Sequence, residues 1–251
     1  MPNLGSRPKP NEYQPRHYRN SLLPTDLTRF QVTVKETDLY IQASKDLYES
    51  AYRSILHHRY QLEQYIARHP EFFKTLLPFP DDEFAPQIVR VMIGAARQAQ
   101  VGPMAAVAGA IAEAVGRDLL VESPEVIVEN GGDIYCQALR ELKVGIFAGN
   151  SPLSFHVGLR LPVANHEWGI CTSSGTVGPS LSFGRADAVC VLAPSAPLAD
   201  AAATSIGNLV FSSKDLPQGL EQAQAIPGLI GVVIIMQEKI GAWGDVELIE
   251  I

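Results

Sequence analysis

Apolar and polar residues alternate over Arg29–Lys35 (RFQVTVK) and again over Leu39–Ala43 (LYIQA), with Glu36, Thr37 and Asp38 between the two runs. A period of two sends successive side chains to opposite faces of a strand, so this stretch predicts a β-hairpin. The period then lengthens. Leu47, Ala51, Ile55, Leu62 and Ile66 recur at helical spacing within Asp46–His69, which Pro70 closes. Beyond the loop Phe79-Pro80-Asp81-Asp82, Ile88, Val91, Met92 and Ala95 mark a second helix over Ala85–Gln98.

The rest of the chain is organised around the stretch from Val101 to Asp133. Between Pro103 and Val115, Ala or Gly fills positions 105, 106, 108, 109, 110, 112 and 114, so a helix there presents little but backbone and methyl groups. Pro103 suits a first helical position, and the free amides after it could accept a phosphate or a carboxylate; close helix packing explains the small residues equally well. Glu125–Val128 reads as a short strand and runs into Asn130, Gly131, Gly132 and Asp133. Paired glycines let backbone lie against a ligand, and they also suit a plain hairpin turn.

Ile134–Glu141, Lys143–Ala148 and Phe155–Leu161 are three further strand-like runs, read as an antiparallel meander. Gly169–Ser174 leads into the glycine-rich loop Gly175–Pro179. Ala188–Leu192 is a buried strand, Pro197–Phe211 a second alanine-packed helix, and Leu216–Ala225 a short one. Ile230–Met236 and Val246–Ile251 are late strands. Hairpins outnumber βαβ units, which gives an α+β class of antiparallel sheets with packed helices rather than a doubly wound sheet. The two alanine helices, each flanked by strands, hint at a duplicated β-β-α-α plan.

Composition narrows the functions. Net charge is −7 and uneven: residues 1–80 carry 11 Lys and Arg against 8 Asp and Glu, the remainder 9 against 19. An acidic second half argues against a nucleic-acid surface. Residues 1–28, with five prolines and four basic side chains, read as an extended N-terminal arm, and 29–251 as a single domain. The arm has no apolar core of an export signal, and no run approaches the roughly 18 apolar residues of a membrane span. A cytoplasmic protein without a membrane partner is expected. Cys136, Cys171 and Cys190 lie far apart without CxxC spacing and are expected to be reduced core residues. His57 and His58, beside Arg59 and with no partner at i+4, are expected in a solvated or edge role rather than as metal ligands. His156 and His166 have Ser173 and Ser174 for company, but no Gly-x-Ser-x-Gly elbow supports a hydrolase.

Asp200 and Thr204 are four apart in the later alanine helix and share one face. A carboxylate and a hydroxyl there, facing backbone carbonyls of the first alanine helix, would suit magnesium, which takes hard oxygen ligands beside substrate phosphates. Asp200 as a helix cap is the other reading.

The small-residue helix, the strand ending in Asn130-Gly131-Gly132-Asp133, the Thr172-Ser173-Ser174-Gly175 loop and the helix with Asp200 and Thr204 follow one another in an order that resembles the ApbE family of flavin transferases. The resemblance covers roughly residues 90–212 and is nearest to a shorter ApbE-like branch. It implies a T-fold-related architecture and a magnesium-dependent reaction that splits FAD, attaches FMN to a Thr or Ser of a target protein and releases AMP. It implies Asp200, Thr204 and the carbonyl of Ala106 as metal ligands, Asn130–Asp133 with Ala108 and Gly109 beside the nucleotide, and Thr172–Gly175 on the flavin side. The family's Lys-Gly pair is Ala108-Gly109 here, and its His after the Thr-Ser-Gly loop is missing from Leu181–Asp187 (LSFGRAD). Arg185 could restore the charge and Asp187 could serve as a base or second ligand. Two readings come from the resemblance. One is FMN transfer to a protein acceptor, with FAD or FMN and magnesium as cofactors. The other is a non-catalytic flavin- or pterin-binding accessory protein in sulfur assimilation, forming homocysteine beside an iron–sulfur partner. Sheet-edge association, as a homodimer, is expected in either.

Overall fold

The computed structural model describes residues 26–163, 166–176 and 183–251. The arm assigned to 1–28 therefore lies almost wholly outside the described residues, as do positions 177–179 of the glycine-rich loop.

Eight strands form one antiparallel sheet in the order β1 (Thr28–Val34), β2 (Thr37–Ala43), β3 (Val126–Asn130), β4 (Asp133–Gln137), β7 (Trp168–Ser173), β8 (Ala188–Ala193), β9 (Gly231–Met236) and β10 (Lys239–Gly244). A smaller sheet holds β5 (Leu142–Gly145) and β6 (Val157–Leu161), with β11 (Glu247–Glu250) on the far edge of β6. The helices are α1 (Tyr48–Arg68), α2 (Pro70–Lys74), α3 (Gln87–Gln98), α4 (Val107–Leu119), α5 (Ala196–Gly207) and α6 (Leu216–Ala225). This is the α+β, antiparallel arrangement expected from the hairpin content.

The duplicated plan is real in the element order. β1-β2, a set of helices ending in α4, then β3-β4 make the first half; β7-β8, the helices α5 and α6, then β9-β10 make the second. The halves join where β4 pairs with β7, Asp133 opposite Cys171. Alternation sorts the side chains between two cores. Val32, Leu39, Ile41, Val128, Tyr135, Cys171 and Val191 point to the helices, whereas Ile134, Cys136, Ile170, Cys190 and Val233 point to the small sheet. At about 1.5–3 kcal/mol for each large side chain removed from water, these two layers drive the fold.

Four expectations change. Pro70 ends α1 but also opens α2 as its first residue, the position where a missing N–H costs nothing. Pro103–Ala106 is a 3₁₀ turn and the α-helix starts only at Val107. The meander is divided, because β5 and β6 leave the main sheet and pair with each other and with β11. β10 was unforeseen: its sequence, KIGAWG, is diluted by two glycines, and pairing with β9 holds it extended.

Candidate functional site

The seam between the halves is crossed on its helical side by α4 and α5, which run antiparallel and very close. A Cβ on Gly109 would sit 2.4 Å from the carbonyl oxygen of Ala196 and 3.0 Å from Cβ of Asp200. Gly109→Ala is expected to cost at least about 2 kcal/mol, because neither helix backbone can retreat from the sheet beneath it. Chemical denaturation of the purified variant measures this, and a change below about 0.5 kcal/mol would contradict the close contact.

The two helices cap each other. The amide of Gly109 donates to Oδ2 of Asp200 at 2.9 Å, and the Ala108 amide adds a second bond. In return the amide of Ala196, first residue of α5, donates to Oε2 of Glu113 at 2.8 Å. Each carboxylate meets the positive end of the partner helix, where free amides favour negative charge. The anion at the α4 N-terminus is thus the chain's own carboxylate. Asp200 faces amides there rather than the carbonyls expected from its spacing. Glu113 also contacts Arg117 at 3.0 Å, and burial raises its carboxyl above the usual range.

Beneath this crossing lies the β3–β4 turn. Gly131 and Gly132 adopt φ of 73° and 103°, a left-handed path that glycine takes without Cβ conflict. The Gly132 amide donates to Glu129 at 2.8 Å, and Asn130 Nδ2 donates to the Ala108 carbonyl at 3.1 Å, fastening the turn to α4. Asp133 comes next, with 9% of its surface exposed. Burial and the nearby Asp200 charge push its carboxyl well above the normal range, despite bonds from the Cys171 thiol and the Thr172 amide. Asp200 is raised to about 7, chiefly by burial. Neither carboxylate has a Lys or Arg partner among the described residues. Thr204 stands one turn beyond Asp200 and is half-buried, and Ala106 is fully buried in the 3₁₀ turn.

Among the described residues no three His, Cys, Asp or Glu side chains gather as a metal cluster. The centre is two carboxylates with hydroxyls nearby. Cys136, Cys171 and Cys190 are buried free thiols whose ionisation burial makes harder; Cys171 lies 3.3 Å from the Ala196 carbonyl.

At the ends of β7 and β9 and the start of β8 the structure forms an open cleft of about 670 Å³. Thr172 and Ser173 are not in a loop but end β7. The Gly175 amide then donates to the Ala186 carbonyl at 2.9 Å, and Gly175, with Thr176, Arg185 and Asp187, lines the cleft. Asp187 accepts from the Gln237 amide at 2.6 Å and the Thr176 hydroxyl at 3.4 Å. β7 links the two groups of residues, Thr172 and Gly175 being about 10 Å apart along an extended chain. His156 is exposed, and His166 packs against Trp168; the structure brings neither to Ser173 or Ser174. The sequence pattern does not single out Glu113 or Phe211. A lone Glu between Ala112 and Ala114 is the available signal for the first; Phe211 is expected as the last residue of the second alanine helix, but α5 stops at Gly207 and leaves it outside.

A family model described as AbpE bacteria matches residues 20–247. The chain belongs to this family. Relatives of this AbpE bacteria member include the UPF0280 proteins of Methanococcus vannielii, 43% identical over 222 residues, and Methanocaldococcus jannaschii, 40% identical over the same length. Each alignment covers 86% of this chain and 90% of the relative. Among solved structures, the ApbE protein of Thermotoga maritima superposes with a TM-score of 0.54 at 11% identity, covering 86% of this chain and 96% of that one. The apo flavinyl transferase ApbE of Pseudomonas stutzeri gives 0.52 at 13%, covering 87% and 94%. At such identities the likeness establishes the AbpE-family chain's fold. No single helix among the described residues is long and apolar enough to cross a membrane.

Proposed function

We propose that this chain binds a flavin nucleotide with magnesium and transfers FMN from FAD to a hydroxyl of an acceptor protein. The observation that carries the reading is the Asp133–Asp200 pair: a buried and a half-buried carboxylate at the meeting of two small-residue helices, with no basic side chain to balance them among the described residues. Such a pair fits a divalent cation with hard-oxygen preference. Asp200, Thr204 and the Ala106 carbonyl would hold it, with Asp133 as a further oxygen donor. Magnesium, when bound, offsets charge on phosphoryl oxygens.

The chain's own groups do the rest. Asn130 holds the glycine turn against Ala108, so that Gly131 and Gly132 present backbone without side chains to a pyrophosphate. In the transfer, the acceptor's hydroxyl oxygen bonds the flavin-side phosphorus while the P–O bond to AMP breaks. Asp187 is the carboxylate assigned to take the hydroxyl proton, and Arg185 the cation near the phosphates. The chain's fold is that of the Pseudomonas stutzeri flavinyl transferase ApbE, which supports the class of reaction.

A second reading is a non-catalytic flavin- or pterin-binding accessory protein in sulfur assimilation, working beside an iron–sulfur partner. Ala108 favours it, since an alanine beside the pair supplies no charge for a departing phosphate. The test is FAD binding followed by flavin fluorescence, with and without magnesium, and chromatography for AMP in the presence of candidate acceptors. Magnesium-dependent binding with AMP release is the expected result. Binding without AMP selects the accessory reading, and no binding of FAD under any condition removes the transfer reading and the flavin form of the accessory one.

A further inference from the structure

We propose that the outer face of α1 is a self-association surface, on which a second copy of this chain packs its own α1 about a two-fold axis. The proposal is independent of the nucleotide reading and concerns residues that take no part in the carboxylate site.

Two faces of α1 are already used. Ala51, Ile55 and Leu62 enter the core, and Ser54 and His58 meet Asp118 of α4 at 2.6 and 2.9 Å. A surface helix ordinarily gives its remaining face to charged and polar residues. Here Tyr48, Tyr52, Leu56 and Tyr60 follow one another at intervals of four, and each leaves 36–65% of its surface to water. Residues four apart form a single ridge along a helix, inclined to its axis. The rings of Tyr48 and Tyr52 stack with centroids 6.3 Å apart and planes within 8°, so this end of the ridge is ordered before any partner arrives. Beside it stand Glu49 and Arg53, of opposite charge, with Arg53 Nε donating to the Glu49 carbonyl at 3.3 Å. No net charge on this flank repels a copy.

A second copy fits this ridge in both shape and area. Ridges of residues four apart on two helices interdigitate at a crossing angle of about 50°, the commonest helix packing in globular proteins. A two-fold axis between Tyr52 and Leu56 sets each of these residues against the other on the facing copy. With about 200 Å² for a tyrosine side chain, the exposed fractions of the ridge come to roughly 350 Å² on each copy. Two ridges then bury about 700 Å² of apolar surface, which is the apolar share, about 60%, of an interface of about 1,200 Å². That is the smallest area of a stable complex, and tyrosine is enriched at the centre of such interfaces. The sheet edges, where the resemblance places self-association, fit less well. β1 exposes Arg29, Gln31 and Thr33, and β10 has six residues, two of them glycine; polar side chains and short length both blunt an edge.

Sedimentation of the full chain from about 1 to 200 μM is expected to show a monomer–dimer equilibrium with a dissociation constant in the micromolar range, as suits an interface of this size. Leu56→Glu, which sets a carboxylate near the axis on both copies, should weaken the dimer by at least about 100-fold, and Tyr52→Ala by at least about tenfold. Val121→Ser removes an equally exposed apolar side chain that lies off the ridge, and it should leave the equilibrium unchanged. All three positions are on the surface, and circular dichroism confirms that each variant folds. Wild-type protein that sediments as a monomer over the whole range overturns the proposal. So does a dimer that Leu56→Glu and Tyr52→Ala leave intact; if Ala242→Pro on β10 dissociates that dimer instead, the contact belongs to the sheet edge.

Discussion

Asp200→Asn should abolish the magnesium dependence of flavin-nucleotide binding and lower affinity in the presence of magnesium by at least about 100-fold, as expected when a charged metal ligand is neutralised. Asparagine keeps the shape and retains one acceptor oxygen for the Gly109 amide, which now lies 2.9 Å from Oδ2. The variant is therefore expected to fold, and its far-ultraviolet dichroism should match wild type. Thr204→Val, which keeps the volume but removes the hydroxyl, should lose about tenfold. These variants are to be titrated with FAD at fixed magnesium and then with chelator. If Asp200→Asn binds FAD as wild type does, with the same response to magnesium, the carboxylate is only the cap of α4 and the metal assignment fails.

The same pair should make the metal-free protein less stable as pH rises. Asp200 titrates near 7 in the fold against about 3.9 in an unfolded chain, and Asp133 is raised too. Between those values the native state holds protons that the unfolded state has released, so unfolding free energy falls with increasing pH. The stabilisation is complete below about pH 4 and is lost as pH climbs through 7. For Asp200 the loss is on the order of 4 kcal/mol, from the free-energy equivalent of a pKa unit taken over about three units. Carboxylates lowered by their partners, such as Glu125 beside Arg140, act in the opposite direction at lower pH, and they cancel when wild type is compared with Asp200→Asn. Urea midpoints from about pH 5 to 8 in chelator should therefore slope downward for wild type and much less for the variant. Magnesium, binding only the folded state, should restore wild type at about pH 8. Equal slopes would mean that the pair is solvated and not enclosed as the structure has it.

Much of the architecture is legible in the order of residues. Period-two runs locate β1 and β2, continuous apolar runs locate β8 and β9, and helical spacing locates α1 and α3 to within a few positions, because all depend on neighbours in sequence. The Asn130–Asp133 turn and the two alanine helices are equally plain, since only small side chains allow such paths and approaches. The hint of duplication is legible as well, in the recurrence of an alanine helix between strands.

Only the tertiary structure decides matters of distant partnership. Gly109 and Asp200, and Glu113 and Ala196, meet only because α4 and α5 cross antiparallel over the β4–β7 seam. Asp133 acquires its charged neighbour, Asp200, from a helix far onward in the chain, through that same crossing. β11 finds β6 rather than β10, and Arg185 meets the segment before Phe211 by a main-chain bond. Local periodicity tells each element which face to bury, but carries no record of which distant element will cover it. That choice comes from the packing of all the faces at once, and the candidate site lies where two of them close.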